Sequence, residues 1–157
     1  MKLSIVMPVY NEGKVIQETI KRVENTIKTP HELLIIYDKD TDNTVAPVKK
    51  LQKKYPNVKL VKNIYGNGAL NALKTGINKA KGEAICTMMA DLTDDPKPLN
   101  VMMNRFEQGY DVVAASRYMK GGQQIGGPFF KQLMSRAAGI SLHYLIGIPT
   151  HDVSNSF

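Results

Sequence analysis

The sequence predicts an α/β protein built on a mostly parallel sheet with helices on both faces. Three observations carry this. Short apolar runs alternate with segments of helical periodicity, in the order βαβαβαβαβ followed by a last α. The runs are apolar throughout, as strands buried on both faces are. Each run ends in a polar cluster, and open α/β sheets bind ligands at the carboxyl ends of their strands.

The elements follow in order. Residues 3–7, Leu-Ser-Ile-Val-Met, are an apolar run stopped by Pro8 and read as the first strand. Over residues 12–27, Val15, Ile16, Ile20, Val23 and Ile27 recur at helical spacing. Residues 33–37 read as a second strand ending at Asp38, residues 44–55 as a helix and residues 58–61 as a third strand. A helix over residues 69–81 keeps Leu70, Leu73 and Ile77 on one face and is closed by Gly82. Residues 84–90 form a fourth strand ending at Asp91. Residues 96–108 form a helix with Pro96 in its first turn and Gly109 past its end. A fifth strand is expected over residues 111–115, then a glycine-rich loop over 120–128 and a last helix over 129–146. That helix is strongly apolar, which reads as core packing or as an interfacial helix at a membrane.

The 157 residues show no repeat and no linker-like shift in composition, so a single domain is expected. Hydrophobic residues make up 43% and charged residues 22%, which excludes a wholly disordered chain. The single cysteine, Cys86, excludes an internal disulfide and a cysteine-based zinc cluster. It lies in an apolar run and reads as a buried, inert thiol. The net charge of +7 favours phosphate-bearing partners, and it is spread over the chain without a block of five basic residues. No stretch of 18 apolar residues exists to span a bilayer, and the apolar start before Pro8 is too short for a secretory signal. The expected location is the cytoplasm, either free or at the cytoplasmic face of a membrane.

The polar clusters at the strand ends carry the chemistry. Pro8-Val9-Tyr10-Asn11-Glu12 follows the first strand, Asp38-Lys39-Asp40-Thr41-Asp42 the second, and Gly66-Asn67-Gly68 the third. Asp91-Leu92-Thr93-Asp94-Asp95 follows the fourth and Ser116-Arg117-Tyr118 the fifth. Asp42 and Asp95 stand just before helices and read as caps. Asp38 and Asp91 directly end apolar strands, where capping does not require them. Clustered carboxylates in a basic protein suit a hard cation, Mg2+ or Mn2+, held by one or two carboxylates together with substrate phosphates. His31, His143 and His151 are isolated and read as structural. There is no Walker A sequence and no Gly-x-Ser-x-Gly elbow, and Asn71 spoils a dinucleotide fingerprint at Gly66.

Taken together these segments resemble the family-2 glycosyltransferases of GT-A fold. Pro8 to Glu12 looks like the family's opening segment, and residues 38–44 resemble its second-strand acidic segment. Residues 66–82 resemble its glycine-rich loop and helix, and residues 90–96 its metal-binding segment. Gly109-Tyr110-Asp111-Val112-Val113, Ser116-Arg117-Tyr118 with Gly121-Gly122, and the stretch from Asp152 to Phe157 are similar to the dolichol-phosphate mannosyltransferase-like branch. The resemblance covers the whole chain in the family's order. Phe157 falls inside a family motif, so a chain truncated at its C-terminus is expected.

The resemblance implies a GT-A, Rossmann-like sheet and an inverting hexosyltransferase. It would move a sugar from a GDP- or UDP-linked donor to a polyprenyl phosphate. Pro8, Tyr10, Glu12, Asp38, Gly68 and Asp91 would bind the donor nucleotide, with Asp38 accepting from a base N–H. Asp91, with Thr93 and Asp94, would hold the divalent cation. Arg117 and Asp91 would serve catalysis, and Arg117, Lys131, Ser135 and Arg136 would hold the acceptor phosphate. On this reading Arg117 acts on phosphate and is not a structural ion-pair partner, and the loop containing Gly121-Gly122 and Gly126-Gly127 is free to close over substrates. Met89 stands where the family has the first Asp of its Asp-x-Asp motif, and Asp40 replaces a glycine. Met89 therefore leaves open a degenerate, sugar-nucleotide-binding module. A nucleic-acid-binding protein is the remaining alternative, disfavoured because strand-end carboxylates repel phosphates.

Overall fold

The computed structural model describes residues 1–123, 128–150 and 152. Four strands alternate with four helices: β1 (Leu3–Pro8), α1 (Ile16–Thr26), β2 (His31–Tyr37), α2 (Val45–Leu51), β3 (Val58–Lys62), α3 (Ala69–Lys79), β4 (Ala84–Thr87) and α4 (Lys97–Glu107). A longer helix, α5 (Phe129–Ile146), follows. The strands form one sheet in the order β3-β2-β1-β4, and every pairing is parallel. Ile5 of β1 sits opposite Leu33 of β2 on one side and Cys86 of β4 on the other. The chain groups into two compact units, Met1–Gly109 and Tyr110–Phe157.

The central strands are buried on both faces, as their continuous apolar character predicts. Side chains alternate across a sheet. Val6, Leu34 and Ile36 pack with Ala72 of α3, while Ile5, Leu33 and Ile35 are fully buried on the other face. Gly76 sets how close α3 lies to the sheet. A Cβ at this position would stand 2.2 Å from Val6 Cγ1, so only glycine fits there without displacement. Cys86 is buried as expected, and burial pushes its thiol up to about 12.

At the amino ends of the strands, Glu32 is fully buried and tied to several elements at once. Its Oε1 accepts from Ser4 Oγ at 2.7 Å and from the Lys81 N–H at 2.8 Å, and its Oε2 accepts from Lys59 Nζ at 2.7 Å. Ser4 Oγ also accepts the Gly82 N–H at 2.8 Å. Burial alone would push the Glu32 carboxyl up; the hydrogen bonds from Lys59, Ser4 and Lys81 outweigh it and leave the group below its ordinary value.

Three expectations about elements need correction. Helix α1 begins at Ile16 rather than at residue 12, because residues 11–13 are held by side chains of the next loop. Strand β4 ends at Thr87 and not at Ala90. The Met88 N–H still reaches the Val6 carbonyl at 3.0 Å, but the next rung of a parallel ladder would need an N–H from Pro8, which has none. The fifth strand is not formed. Residues 111–115 pair with no strand among the described residues, and Val112 is 85% exposed. A strand is stable only through a ladder partner, so an apolar run by itself does not make one.

In the second unit, α5 ends as its sequence suggests. Gly147 takes φ +77°, its N–H reaches the His143 carbonyl, and the Ile148 N–H reaches that of Leu142. Most of the described side chains of α5 are uncovered. Gln132, Ser135, Leu142 and His143 are the partly covered positions, with Gly139 buried. Phe130, Leu133, Met134, Ile140, Tyr144, Leu145 and Ile146 are exposed, with Leu145 at 83%. The core-packing reading of this helix therefore fails among the described residues.

Candidate functional site

Polar groups gather at the carboxyl ends of the parallel strands in the first unit. Asp38 follows the last residue of β2. Its Oδ1 accepts from Asn63 Nδ2 at 2.8 Å and its Oδ2 accepts the Gly68 N–H at 2.8 Å. Gly68 opens α3 with φ +113° and ψ +153°, a conformation essentially confined to glycine. Asn63 follows β3. Its Nδ2 also donates to the Gly66 carbonyl at 2.6 Å, while its Oδ1 accepts from Thr75 Oγ1 at 2.7 Å and from the Tyr65 N–H at 3.1 Å. Asp40, the departure from the family's glycine, pairs with Lys62, whose hydrogen bond holds the Asp40 carboxyl below its ordinary value.

The loop after β1 is fastened to the loop after β2. The Asn11 N–H donates to Asp42 Oδ2 at 3.0 Å, the Glu12 N–H to Thr44 Oγ1 at 2.9 Å and the Gly13 N–H to Asn43 Oδ1 at 2.7 Å. Asn11 adopts φ +59°, which asparagine tolerates better than most residues. Asp42 also takes the Thr44 N–H at 2.8 Å, so it acts as the turn-former its place before α2 suggests. Burial pushes the Asp42 carboxyl up, and hydrogen bonds from Thr44 and Asn11 outweigh it and bring it below the ordinary value. The Glu12 carbonyl accepts from the Val15 and Ile16 N–H groups, so its main chain starts α1. Pro8 is buried at the end of β1, and Tyr10 stands 73% exposed above it in sequence.

Asp91 is positioned from two sides. The Ala90 carbonyl accepts from Thr19 Oγ1 of α1 at 2.7 Å. Asp91 Oδ1 accepts from the Thr93 N–H at 3.1 Å and from Thr93 Oγ1 at 2.6 Å. Between them Leu92 takes φ +66°, a strained choice for a residue with a Cβ. Asp94 closes the same turn, its Oδ2 accepting the Met89 N–H at 2.8 Å. Asp95 Oδ1 accepts from the Lys97 N–H at 3.2 Å in a turn before α4, whose N-cap is Pro96 without a side-chain cap bond, so Asp95 forms a turn and not the expected cap. No group of three or more His, Cys, Asp or Glu is arranged for a metal among the described residues. The exposed Asp91, with Oδ1 turned by Thr93, does fit the sparser arrangement of a single carboxylate that shares a hard cation with substrate phosphates. Asp38 follows β2 directly and Asp91 lies in the loop after β4, the two strands that flank β1 in the sheet.

In the second unit, Arg117 is an ion-pair partner, contrary to expectation. Its Nε donates to Asp152 Oδ2 at 2.9 Å, its Nη2 to Asp152 Oδ1, and its own N–H to Asp152 Oδ2 at 2.8 Å. The Asp152 carboxylate is fully buried; burial raises its carboxyl and the Arg117 contacts more than reverse this. The loop is also closer-knit at Gly122 than expected. A Cβ there would lie 2.4 Å from the Ser116 carbonyl oxygen and 2.7 Å from that of Arg117. Gly126 and Gly127 lie outside the described residues, as do His151 and residues 153–157. Lys131 and Ser135 are one turn apart on α5, and Lys131 and Arg136 are exposed. Sequence reasoning missed Asn63 and Thr44. Asn63 follows β3 directly, the signal that marked Asp38, whereas Thr44 stands before α2 as an ordinary pre-helix residue.

Comparisons with known proteins converge. The family described as Glycosyl transferase family 2 is matched over residues 4–146. The dolichol-phosphate mannosyltransferase of Pyrococcus furiosus is 31% identical over 139 residues, 88% of this chain and 39% of the relative. An undecaprenyl-phosphate 4-deoxy-4-formamido-L-arabinose transferase of Proteus mirabilis is 29% identical over 120 residues, 74% of this chain and 37% of the relative. Among solved structures, a mannosyltransferase from Pyrobaculum calidifontis in complex with GDP-Man and Mn2+ superposes with a TM-score of 0.55 at 25% identity, covering 63% of this chain and 30% of that one. The chain thus spans less than half the length of these curated relatives. The expected GT-A arrangement, a parallel sheet flanked by helices, is the fold shared with these neighbours.

Proposed function

The chain belongs to glycosyl transferase family 2, and from that premise we propose that it serves as an inverting glycosyltransferase moving a sugar from a nucleotide diphosphate to a polyprenyl phosphate. The observation that carries the reading is a pair of carboxylates beyond the carboxyl ends of two strands, Asp38 directly after β2 and held by Asn63 and Gly68, and Asp91 in the loop after β4 and turned by Thr93. The names of the relatives support a lipid-phosphate acceptor, and the neighbour's GDP-Man and Mn2+ support a nucleotide-sugar donor and a divalent cation.

Asp38 is assigned the base. Each of its oxygens takes one protein hydrogen bond and keeps lone-pair capacity for an N–H of uracil or guanine. The exposed ring of Tyr10 offers a face for the nucleoside, and Pro8, Glu12 and Gly68 shape the main chain around it. Asp91 is assigned the cation, Mg2+ or Mn2+, with Thr93 orienting it and Asp94 holding the turn. When bound, that ion supplies Lewis-acid stabilisation of the departing diphosphate. The acceptor phosphate is already ionised at neutral pH. One of its oxygens attacks the anomeric carbon while the bond to the donor phosphate breaks, so no strong protein base is needed and the configuration inverts. Arg117, Lys131, Ser135 and Arg136 are assigned the acceptor phosphate, where cations offset repulsion between two anionic substrates.

The exposed apolar side of α5, flanked by Lys131 and Arg136 and free of acidic residues, supports peripheral contact with an anionic membrane surface. No described helix is long and apolar enough to cross a membrane. Such contact would be at the cytoplasmic face. Met89 supports a second reading, a nucleotide-sugar-binding module without transfer. The deciding experiment incubates the protein with labelled GDP- and UDP-sugars, a polyprenyl phosphate and Mn2+. Labelled lipid product is expected. Donor binding without transfer or hydrolysis supports the module, and no nucleotide binding at all removes both readings.

A further inference from the structure

We infer that Asn63 is the positioning residue of the nucleotide end of the site, acting through Asp38; this rests on the reading of Asp38 as the base-binding carboxylate. The inference starts from a complete set of hydrogen bonds. A side-chain amide has two donor hydrogens and an acceptor oxygen with two lone pairs. Asn63 uses all of them: Nδ2 on Asp38 Oδ1 and the Gly66 carbonyl, and Oδ1 on Thr75 Oγ1 and the Tyr65 N–H. The amide cannot be turned over. Asp38 and the Gly66 carbonyl accept only, and the Tyr65 N–H donates only, so the flipped amide would oppose like groups at three contacts.

The anchor beneath it is firm. Thr75 lies on α3 and is fully buried, and its Oγ1 also receives the Ile64 N–H at 3.2 Å. The Asn63 main chain is fixed too, its N–H donating to the Tyr37 carbonyl at 2.9 Å, one residue before Asp38. Asn63 thus joins the end of β2, the end of β3 and the second turn of α3. Gly68 completes the ring by donating to the other oxygen of Asp38. Both carboxylate oxygens are therefore held by groups whose own positions depend on Asn63. A carboxylate on a strand end otherwise rotates freely about its side-chain bonds, and each rotamer lost before binding need not be lost during it.

The test is a double-mutant cycle on nucleoside diphosphate affinity, read by calorimetry with UDP and GDP and no metal, with the melting temperature of each variant beside it. Asn63→Asp keeps the shape of the side chain but replaces the donor facing Asp38 with an acceptor. It is expected to weaken binding at least tenfold. Asp38→Ala is expected to weaken it as well, and the double variant to be no worse than Asp38→Ala alone, because both act through one carboxylate. If Asn63→Asp does not fold, Asn63→Ala takes its place in the cycle. Losses that add in the double variant, or an Asn63 variant that binds normally, overturn the inference while leaving the functional reading intact. An unaltered protein that binds neither nucleotide overturns both.

Discussion

Arg117 grips Asp152 with two guanidinium nitrogens and its own main-chain N–H, so a single carboxylate fixes both the side chain and the backbone of the arginine. A planar fork meeting a carboxylate in this way is geometrically specific, which an ammonium group cannot reproduce. The pair does not conflict with a role on phosphate, since a held guanidinium is a pre-oriented one. It does change what mutation should do.

Asp152→Asn should lower stability by about 2 kcal/mol, the scale of a hydrogen bond to a charged group, since it leaves a partly covered guanidinium without its counter-charge. Arg117→Lys should cost as much and should also reduce transfer. Because the folded-state value of Asp152 is depressed, its contribution is present above the ordinary carboxylate range and is lost as pH falls through the folded value. Urea unfolding across an acid pH series measures this: the unaltered protein and Asp152→Asn should differ at pH 7 and converge once the pH lies below the folded value of Asp152.

Asp91→Asn should abolish the Mn2+-dependent part of donor binding and spare the metal-free part, because the base contacts assigned to Asp38 lie across β1. Calorimetry with and without Mn2+ separates the two parts. Metal dependence that survives in Asp91→Asn would pass the role to Asp94.

His31 should make the protein more stable in mild acid. Its Nδ1 faces the Thr29 carbonyl at 2.8 Å and its Nε2 faces Glu24 Oε1 at 3.2 Å; both partners accept, so both ring nitrogens must carry protons. Burial pushes the imidazole down, and the Glu24 and Thr29 contacts outweigh it and raise its value. A raised folded value gives stability that is full below the ordinary histidine value of about 6.5 and is lost as pH rises through the folded one. Melting temperatures from pH 5.5 to 8.5 should fall in the unaltered protein more than in His31→Gln.

Leu133→Glu combined with Leu145→Glu should leave the melting temperature nearly unchanged, since both side chains are exposed. The same variant should lose co-sedimentation with vesicles containing anionic lipid. A loss of several degrees on melting would instead place these residues in a packed interface.

Most of the sheet was legible because burial on both faces leaves a plain mark: β1 and β2 are apolar from end to end, apart from Ser4, His31 and Glu32. Asp38 was legible for the same reason, an acidic residue set directly against the apolar run of β2. What stayed hidden depends on partners distant in sequence. Residues 111–115 look like a strand by composition, but a ladder needs a neighbour that composition does not name. Thr44 and Asn43 look like ordinary pre-helix residues, yet they hold the backbone of Glu12 and Gly13. Asp152 pairs with Arg117 across 35 positions, a separation at which no local pattern signals contact.

Glu32 has a bearing on the order in which the chain assembles. Its hydrogen bonds come from β1, from β3 and from the main chain at Lys81, a partner 49 residues further along. Pairing β1 with β2 brings only Ser4 to the carboxylate, and adding β3 brings Lys59. Until the turn after α3 closes over it, the charge must keep water that the finished sheet excludes. Closing long loops is slow because their entropy is lost before the contacts form. The carboxylate is therefore fully satisfied only in the completed sheet, and any form lacking the turn after α3 leaves a hydrogen bond to Glu32 unmade.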